Sequence, residues 1–342
     1  MVEVLNRGLH KPVKREIIRR DTEIETRENI WPLVQKESPF SYASDSETQR
    51  KAKAAWSRNS LKAYYYGWKY WLEWASTYGV QAYPAPPEEI ARYITGLDKD
   101  GLKVNTIVSR VAAIAYVHKH YWEHDPTKDR IVRQTLRGIK RESEHRVKQA
   151  APFSAEVIDT LLETISKTDR CTKNSKRPYR EEMLAYVLLL CDEGMRLSEP
   201  TYLLWSDLTP PNGPQWAEAM LKHSKADPTS QGVKVALTPR TWRALEAWRE
   251  VSRPSSDDKR IFRWKGHTYR QRLMYLLDDA GLSGRGFSSH SGRVGMAVRL
   301  TEAGMPMTQL AARGRWKTSQ MPIRYASQAV NHGLDDFYAD AV

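Results

Sequence analysis

The stretch AEAMLKHSKADPTSQGVKVALTP, Ala217 to Pro239, decides the fold class. On both sides of it, apolar residues recur at the three-to-four spacing of amphipathic helices. Inside it that spacing stops. Val233, Val235 and Leu237 alternate, and the run Asp227 to Gly232 is made of turn formers. The segment reads as a small β-hairpin set into a helical chain. The expected fold is therefore mainly α, with a small antiparallel sheet in the C-terminal half.

Towards the C-terminus, helical patterns resume at PRTWRALEAWREV, TYRQRLMYLLDDAG, SSHSGRVGMAVRLTEAG and PMTQLAARGRW. Towards the N-terminus lie REEMLAYVLLLCDEG, apolar enough for a core helix, and SAEVIDTLLETISK. Before these, RESEHRVKQAAPFS is polar and ends in a proline turn, the pattern of a linker. Four helical patterns precede the linker. SLKAYYYGWKYWLEWAS places Leu61, Tyr64, Tyr65, Trp68, Trp71, Leu72 and Ala75 on one stripe, with Ser60 as the expected N-cap. PEEIARYITGLDKDG starts after Pro87, spaces Ile90, Tyr93, Ile94 and Leu97 helically and stops near Gly101. NTIVSRVAAIAYVHKHYW turns Ile107, Val108, Val111, Ile114, Ala115, His118 and Tyr121 inward, and KDRIVRQTLRGIKRE is short and basic. The expected organisation is a flexible tail over 1–50, a helical domain over 51–142, a linker over 143–152 and a second domain over 153–326.

Composition narrows the function classes. The 342 residues carry a formal net charge of +13, which favours polyanionic partners, nucleic acid first among them. A basic surface kept for solubility is the competing explanation. No apolar run is long enough for a membrane span, and the N-terminus has no apolar core for a signal peptide. The two cysteines, Cys171 and Cys191, form no metal-type or disulfide pattern, so a reducing, cytoplasmic setting is expected.

Several residues could carry chemistry. Arg196 and Glu199 lie in DEGMRLSEP, where Gly194 looks like the C′ residue of the apolar helix. An arginine there can also be an ordinary dipole partner. Lys225 sits at the hairpin turn, where most lysines are simply solvated. His290 and Arg293 are three apart and share a face if helical. Trp316 precedes Tyr325 by nine residues in RGRWKTSQMPIRYA. None of these is decisive alone.

Together their order and spacing resemble the tyrosine recombinase (phage integrase) family, and within it the Cre-like site-specific recombinases. GMRLSE is similar to the first arginine box, HSGRVG to the second, and HSKADPTSQGVKVAL to the catalytic-lysine hairpin. The 23 residues from Arg293 to Trp316 and the nine on to Tyr325 fit the Cre-like spacing. Tryptophan at 316, where many members have histidine, is the Cre-type choice. The resemblance extends from about residue 56, and its departures are a longer tail and a short insertion, TKNSKRPY, after Cys171.

The resemblance implies a two-domain, C-shaped DNA clamp, with a helical core-binding domain and a mixed α/β catalytic domain. It implies that Tyr325 attacks a DNA phosphodiester and that Arg196 and Arg293 fork onto the non-bridging oxygens. His290 donates to those oxygens or takes the tyrosine proton, Trp316 walls the site, Lys225 is the general acid, and Glu199 orients its neighbours. No metal, cofactor or ATP is expected, because the arginines carry the charge and the phosphotyrosyl bond keeps the ester energy. Lys62, Asn105, Ser109, Arg110, Arg270 and Arg272 are the implied DNA-facing residues, although each could be a merely solvated polar group. Val330, Leu334, Phe337 and Tyr338 form an apolar stripe over 327–342, which by resemblance docks into a neighbouring protomer of a homotetramer on inverted-repeat DNA. KTSQMPI is the expected mobile connector to the nucleophile. A type IB topoisomerase, or a DNA-binding protein with a decayed site, are the alternatives.

Overall fold

The structure is a computed structural model and describes residues 47, 58–121, 124–143, 149–167, 180–222 and 232–327. Lys225, the expected tail apart from Glu47, and the expected helix beyond residue 327 lie outside these residues. The chain divides into two compact units, 1–147 and 148–342.

In the first unit, α1 (Arg58–Tyr78), α2 (Pro87–Lys99), α3 (Val104–Tyr121) and α4 (Arg130–Glu142) surround an aromatic core. Helix α1 already runs at Arg58, so Ser60 lies within its first turns and does not cap it. Pro87 opens α2, where its missing N–H would have no helical partner anyway. Ile90, Tyr93, Ile94 and Leu97 are all buried, as their spacing requires. Trp71 is fully buried, stacks on Trp74 with ring centroids 5.4 Å apart, and donates its indole N–H to the Ala82 carbonyl at 2.9 Å. On α3, Ile107, Val111, Ile114 and His118 face inward, joined by Ala113, Tyr116 and Val117.

In the second unit, α5 (Ala155–Lys167), α6 (Arg180–Cys191), α7 (Pro239–Ser252), α8 (Gly266–Asp279), α9 (Ser291–Glu302), α10 (Met307–Arg313) and α11 (Gln320–Ala326) accompany one antiparallel sheet. The sheet orders β1 (Leu208–Thr209), β2 (Ala217–Leu221) and β3 (Val233–Leu237), with Ala219 opposite Leu208 on one side and Val235 on the other. The expected hairpin thus gains a third strand. Two residues are too short to show any period, which is why β1 was invisible in the sequence. Helix α6 is buried from Glu182 to Cys191 except for the partly buried Leu184, so it carries the core. None of the described helices is long and apolar enough to cross a membrane.

The close seating of α9 follows from its glycines. A Cβ on Gly292 would stand 2.8 Å from the Leu190 carbonyl oxygen, and one on Gly295 would stand 2.2 Å from that of Phe153. Helix α9 therefore lies backbone to backbone against the end of α6, and Arg293 rides in between.

Candidate active site

Helix α6 ends in a reversal. Gly194 takes φ +57, and the Met195 N–H returns to the Leu189 carbonyl at 3.0 Å. The chain then turns through Arg196, which the sequence placed just beyond the helix. Glu199 closes this turn on itself. Its Oε2 accepts from the Arg196 backbone N–H at 2.8 Å, and its Oε1 accepts from Arg196 Nη1 at 2.7 Å. Glu199 is buried, whereas the Arg196 side chain keeps 24% of its surface exposed. Burial alone would raise the Glu199 carboxyl, but the charges of Arg315 and Arg196 and the bonds from Arg196 outweigh it and hold the carboxyl below its ordinary range.

Arg293 enters from the first turn of α9 and is 3% exposed. Its Nη1 donates to the Gly194 carbonyl at 2.5 Å, and its Nη2 donates to the Gly314 carbonyl. Burial first, then the neighbouring Arg196 and Arg315, push it down to about 9, so it remains charged at neutral pH. His290 has helical backbone angles three residues before Arg293. It is the exposed N-cap residue of α9, with its backbone N–H bonded to Ser288 Oγ at 3.1 Å.

Trp316 and Tyr325 complete the group. The Arg293 guanidinium lies over the Trp316 ring, 4.5 Å from its centroid, and the Trp316 and Tyr325 rings are 5.7 Å apart. A Cβ on Gly314 would fall 1.8 Å from the tryptophan ring, so only glycine lets that ring fold back over the chain. Tyr325 is carried on α11, which packs against α9 and α10. The sequence reading made KTSQMPI a connector, but from Gln320 it is already helix. Pro322 occupies the first turn, where a proline removes no helical hydrogen bond. The exposed Arg324, on the same helix, offers its carbonyl to Gln149 Nε2 at 3.5 Å.

Arg196, Glu199, Arg293, Trp316 and Tyr325 thus converge from three separated segments. Lys225 lies outside the described residues. Other charges support the cluster from behind. Arg299 donates to the carbonyls of Phe153 at 2.5 Å and Cys191 at 2.7 Å, which fastens α9 to α6. Arg313 bonds the Ala236 carbonyl at 2.5 Å and pairs with the fully buried Glu193. Burial holds Glu193 above its ordinary range despite that partner. The sequence reading missed Arg299, Arg313 and Arg315. None of the three left a signal there, and Arg315 stands out by its backbone angle, φ 54°.

The DNA-facing candidates are placed unevenly. Asn105 and Ser109 on α3 and Arg270 on α8 are exposed. Lys62 is half-buried, 5.9 Å from the Tyr66 ring. Arg110 is already engaged, 4.1 Å over the Tyr70 ring and 3.5 Å from the Tyr93 hydroxyl. Arg272 lies 5.8 Å over the Tyr275 ring.

Chemically, two guanidiniums beside a phenol make a site for an anion that gains charge during reaction. Residues 152–332 match the phage integrase family. The chain is 27% identical over 303 residues to an integrase/recombinase XerD homologue of Selenomonas ruminantium, covering 82% of this chain and 85% of that one. It is 24% identical over 284 residues to the Cre recombinase of Escherichia phage P1, covering 75% and 80%. Among solved structures, the XerH site-specific recombinase bound to palindromic difH substrate shares the fold with a TM-score of 0.64 at 17% identity, over 90% of this chain and 86% of that one. With the family matched across more than half its length and the tyrosine, tryptophan and arginines drawn into one cluster, the chain belongs to the phage integrase family and is a tyrosine recombinase.

Proposed function

We propose that the protein is a site-specific recombinase that cuts and rejoins double-stranded DNA through a 3′-phosphotyrosyl intermediate, with Tyr325 as nucleophile. The observation that carries this reading is the convergence of Arg196, Arg293 and Trp316 on Tyr325. The Tyr325 oxygen attacks the scissile phosphorus and loses its proton. The bond from phosphorus to the 5′ oxygen breaks, and that oxygen takes a proton to leave as a 5′-hydroxyl. A phosphodiester carries one negative charge and approaches two in the transition state, which Arg196 and Arg293 match. Lys225 supplies the leaving-group proton and His290 assists at the oxygens or the tyrosine. Trp316 keeps water off the phosphotyrosyl bond, so that a second DNA 5′-hydroxyl can reverse the step. Two such exchanges pass through a Holliday junction. The positive charge of the chain serves to neutralise DNA phosphates, and binding weakens with salt.

The cleavage step is tested on a cognate site nicked just beyond the scissile phosphate, where the short fragment diffuses away. Wild-type protein accumulates a covalent adduct visible on a denaturing gel, and Tyr325→Phe forms none. Absence of adduct with the wild type on a bound site would refute the reading.

The assembly is a homotetramer on two inverted-repeat sites, joined by exchange of the C-terminal segment. Trp216, Met296, Leu300 and Met305 line a cavity of about 650 Å3 rimmed by Arg240 and Arg313. Residues 328–342 offer a matching apolar stripe, Val330, Leu334, Phe337 and Tyr338, flanked by Asp335, Asp336 and Asp340. Deleting 328–342 is expected to spare DNA binding and abolish synapsis in a gel-shift of paired sites. Full recombination by the truncated protein would sink the exchange.

A further inference from the structure

Helices in this protein repeatedly close on a glycine in the left-handed region. Gly79, Gly101, Gly281 and Gly304 have φ of 64, 73, 68 and 76°. After each, the next N–H returns to the carbonyl five residues earlier, as from Val80 to Ala75 at 2.8 Å and from Met305 to Leu300 at 2.9 Å. Helix α10 closes the same way, with the Trp316 N–H on the Ala311 carbonyl at 3.0 Å, but the left-handed residue is Arg315, φ 54°. A side chain here is strained in a way glycine avoids. Among the described residues the other non-glycine example, Arg253 at the end of α7, is exposed, whereas the Arg315 side chain is only 6% exposed.

The buried guanidinium spans the site. Nη1 donates to the Glu193 carbonyl at 3.1 Å, and Nη2 reaches the Gly194 carbonyl at 3.2 Å and Glu199 Oε2 at 3.3 Å. That Gly194 carbonyl also accepts from Arg293, and Glu199 also holds Arg196. One residue therefore joins the supports of both arginines to the chain position immediately before Trp316. Arg196 keeps four times the side-chain exposure of Arg315, so it is the guanidinium open to a phosphate.

We propose that Arg315 is a positioning residue for strand cleavage: it ties the Trp316 turn to Glu199 and to the 193–194 carbonyls, and so fixes Arg196, Arg293 and the Trp316–Tyr325 pair in one register before DNA arrives. The inference rests on the recombinase reading above. It also explains why the strained turn retains an arginine where glycine would fit.

Arg315→Gly removes the tie and suits the left-handed turn, while Arg315→Lys keeps a charge that meets Glu199 but cannot also bridge both carbonyls. Full-length proteins are compared for melting temperature, affinity for the intact site and rate of adduct formation on the nicked site. Affinity is expected to stay within about twofold, while adduct formation falls at least about tenfold, since a misplacement of about 1 Å can cost about a hundredfold. Arg315→Lys is expected to lie between glycine and wild type. Combining Arg315→Gly with Glu199→Gln should slow cleavage no further than the worse single variant. Wild-type cleavage rates in Arg315→Gly, or additive effects with Glu199→Gln, would overturn the proposal. If Arg315→Gly fails to fold, Arg315→Lys decides, and a stable lysine variant that cleaves at the wild-type rate overturns it too. Wild-type protein that forms no adduct overturns the recombinase reading and this inference with it; equal adduct formation by wild type and variants overturns the inference alone.

Discussion

The two units bury their polar groups differently. In the helical unit, the core is rich in aromatic rings, and among its described residues the buried polar side chains are His118 and a single acid, Asp125, 3.4 Å from Lys119. His118 Nε2 accepts from the Ala85 N–H at 2.9 Å and Nδ1 faces the Ile114 carbonyl at 2.8 Å, so one tautomer satisfies both. Among the described residues of the 148–342 unit, five acids are buried, and each meets a cation: Glu182 with Arg263, Asp192 with Arg240, Glu193 with Arg313, Glu199 with Arg196 and Arg315, Asp207 with Lys222. Burying such pairs rarely adds net stability. Of the five, the Glu199 group is the one that holds guanidiniums, Arg196 and Arg315, in the cluster with Tyr325.

That contrast can be broken by mutation. The largest effect is expected for Trp71→Ala, because its ring is fully buried between Trp74 and Tyr93. It should destabilise the helical unit by about 3–5 kcal/mol in chemical denaturation. A loss below about 1 kcal/mol would show that the aromatic stack is not the core. Next is Glu193→Gln, which keeps shape but weakens the bonds to Arg313 and to the Thr238 N–H. A cost of about 1.5–3 kcal/mol is expected, confined to the 148–342 unit. No change, or a gain, would mean that the raised Glu193 carboxyl is already neutral and the ion pair is nominal.

The smallest effect is an order of events in acid. Burial lowers His118 below its ordinary 6.5, so its contribution is present above 6.5 and is lost as pH falls through the lowered value. Glu199 lies below its ordinary 4.5, so its contribution persists down to 4.5 and is lost only beneath that. Glu193, which is raised, acts oppositely and gains as pH falls towards 4.5. The helical unit should therefore soften first on acidification, as read by amide exchange in each unit. The reverse order would contradict the assignment of these buried groups.

Much of this architecture was legible beforehand. Helical spacing found α2 because an amphipathic helix has to declare its buried face, and Ile90, Tyr93, Ile94 and Leu97 did so. The alternation of Val233, Val235 and Leu237 found β3 for the same reason. Strand β1 is too short for any period, and α11 was hidden by Pro322, which signals a break unless it falls in a first turn. Burial of charge is hardest to read. Glu193 and Glu250 look alike in sequence, yet one is fully buried and the other exposed. Order and spacing in the sequence point to Arg196, Arg293 and Tyr325, whereas only the backbone angle points to Arg315.

Pro322 has a further consequence. Helix α11 makes its first four-residue-back bond at Ile323, onto Ser319. Were the helix to grow backwards by one turn, the proline ring would meet the Thr318 carbonyl and no N–H would be there to bond it. The proline acts as a doorstop. Tyr325 stands three residues beyond it, about 4.5 Å along the axis. The distance of Tyr325 from the start of its helix is thus set by the proline and cannot grow by winding in more chain at that end.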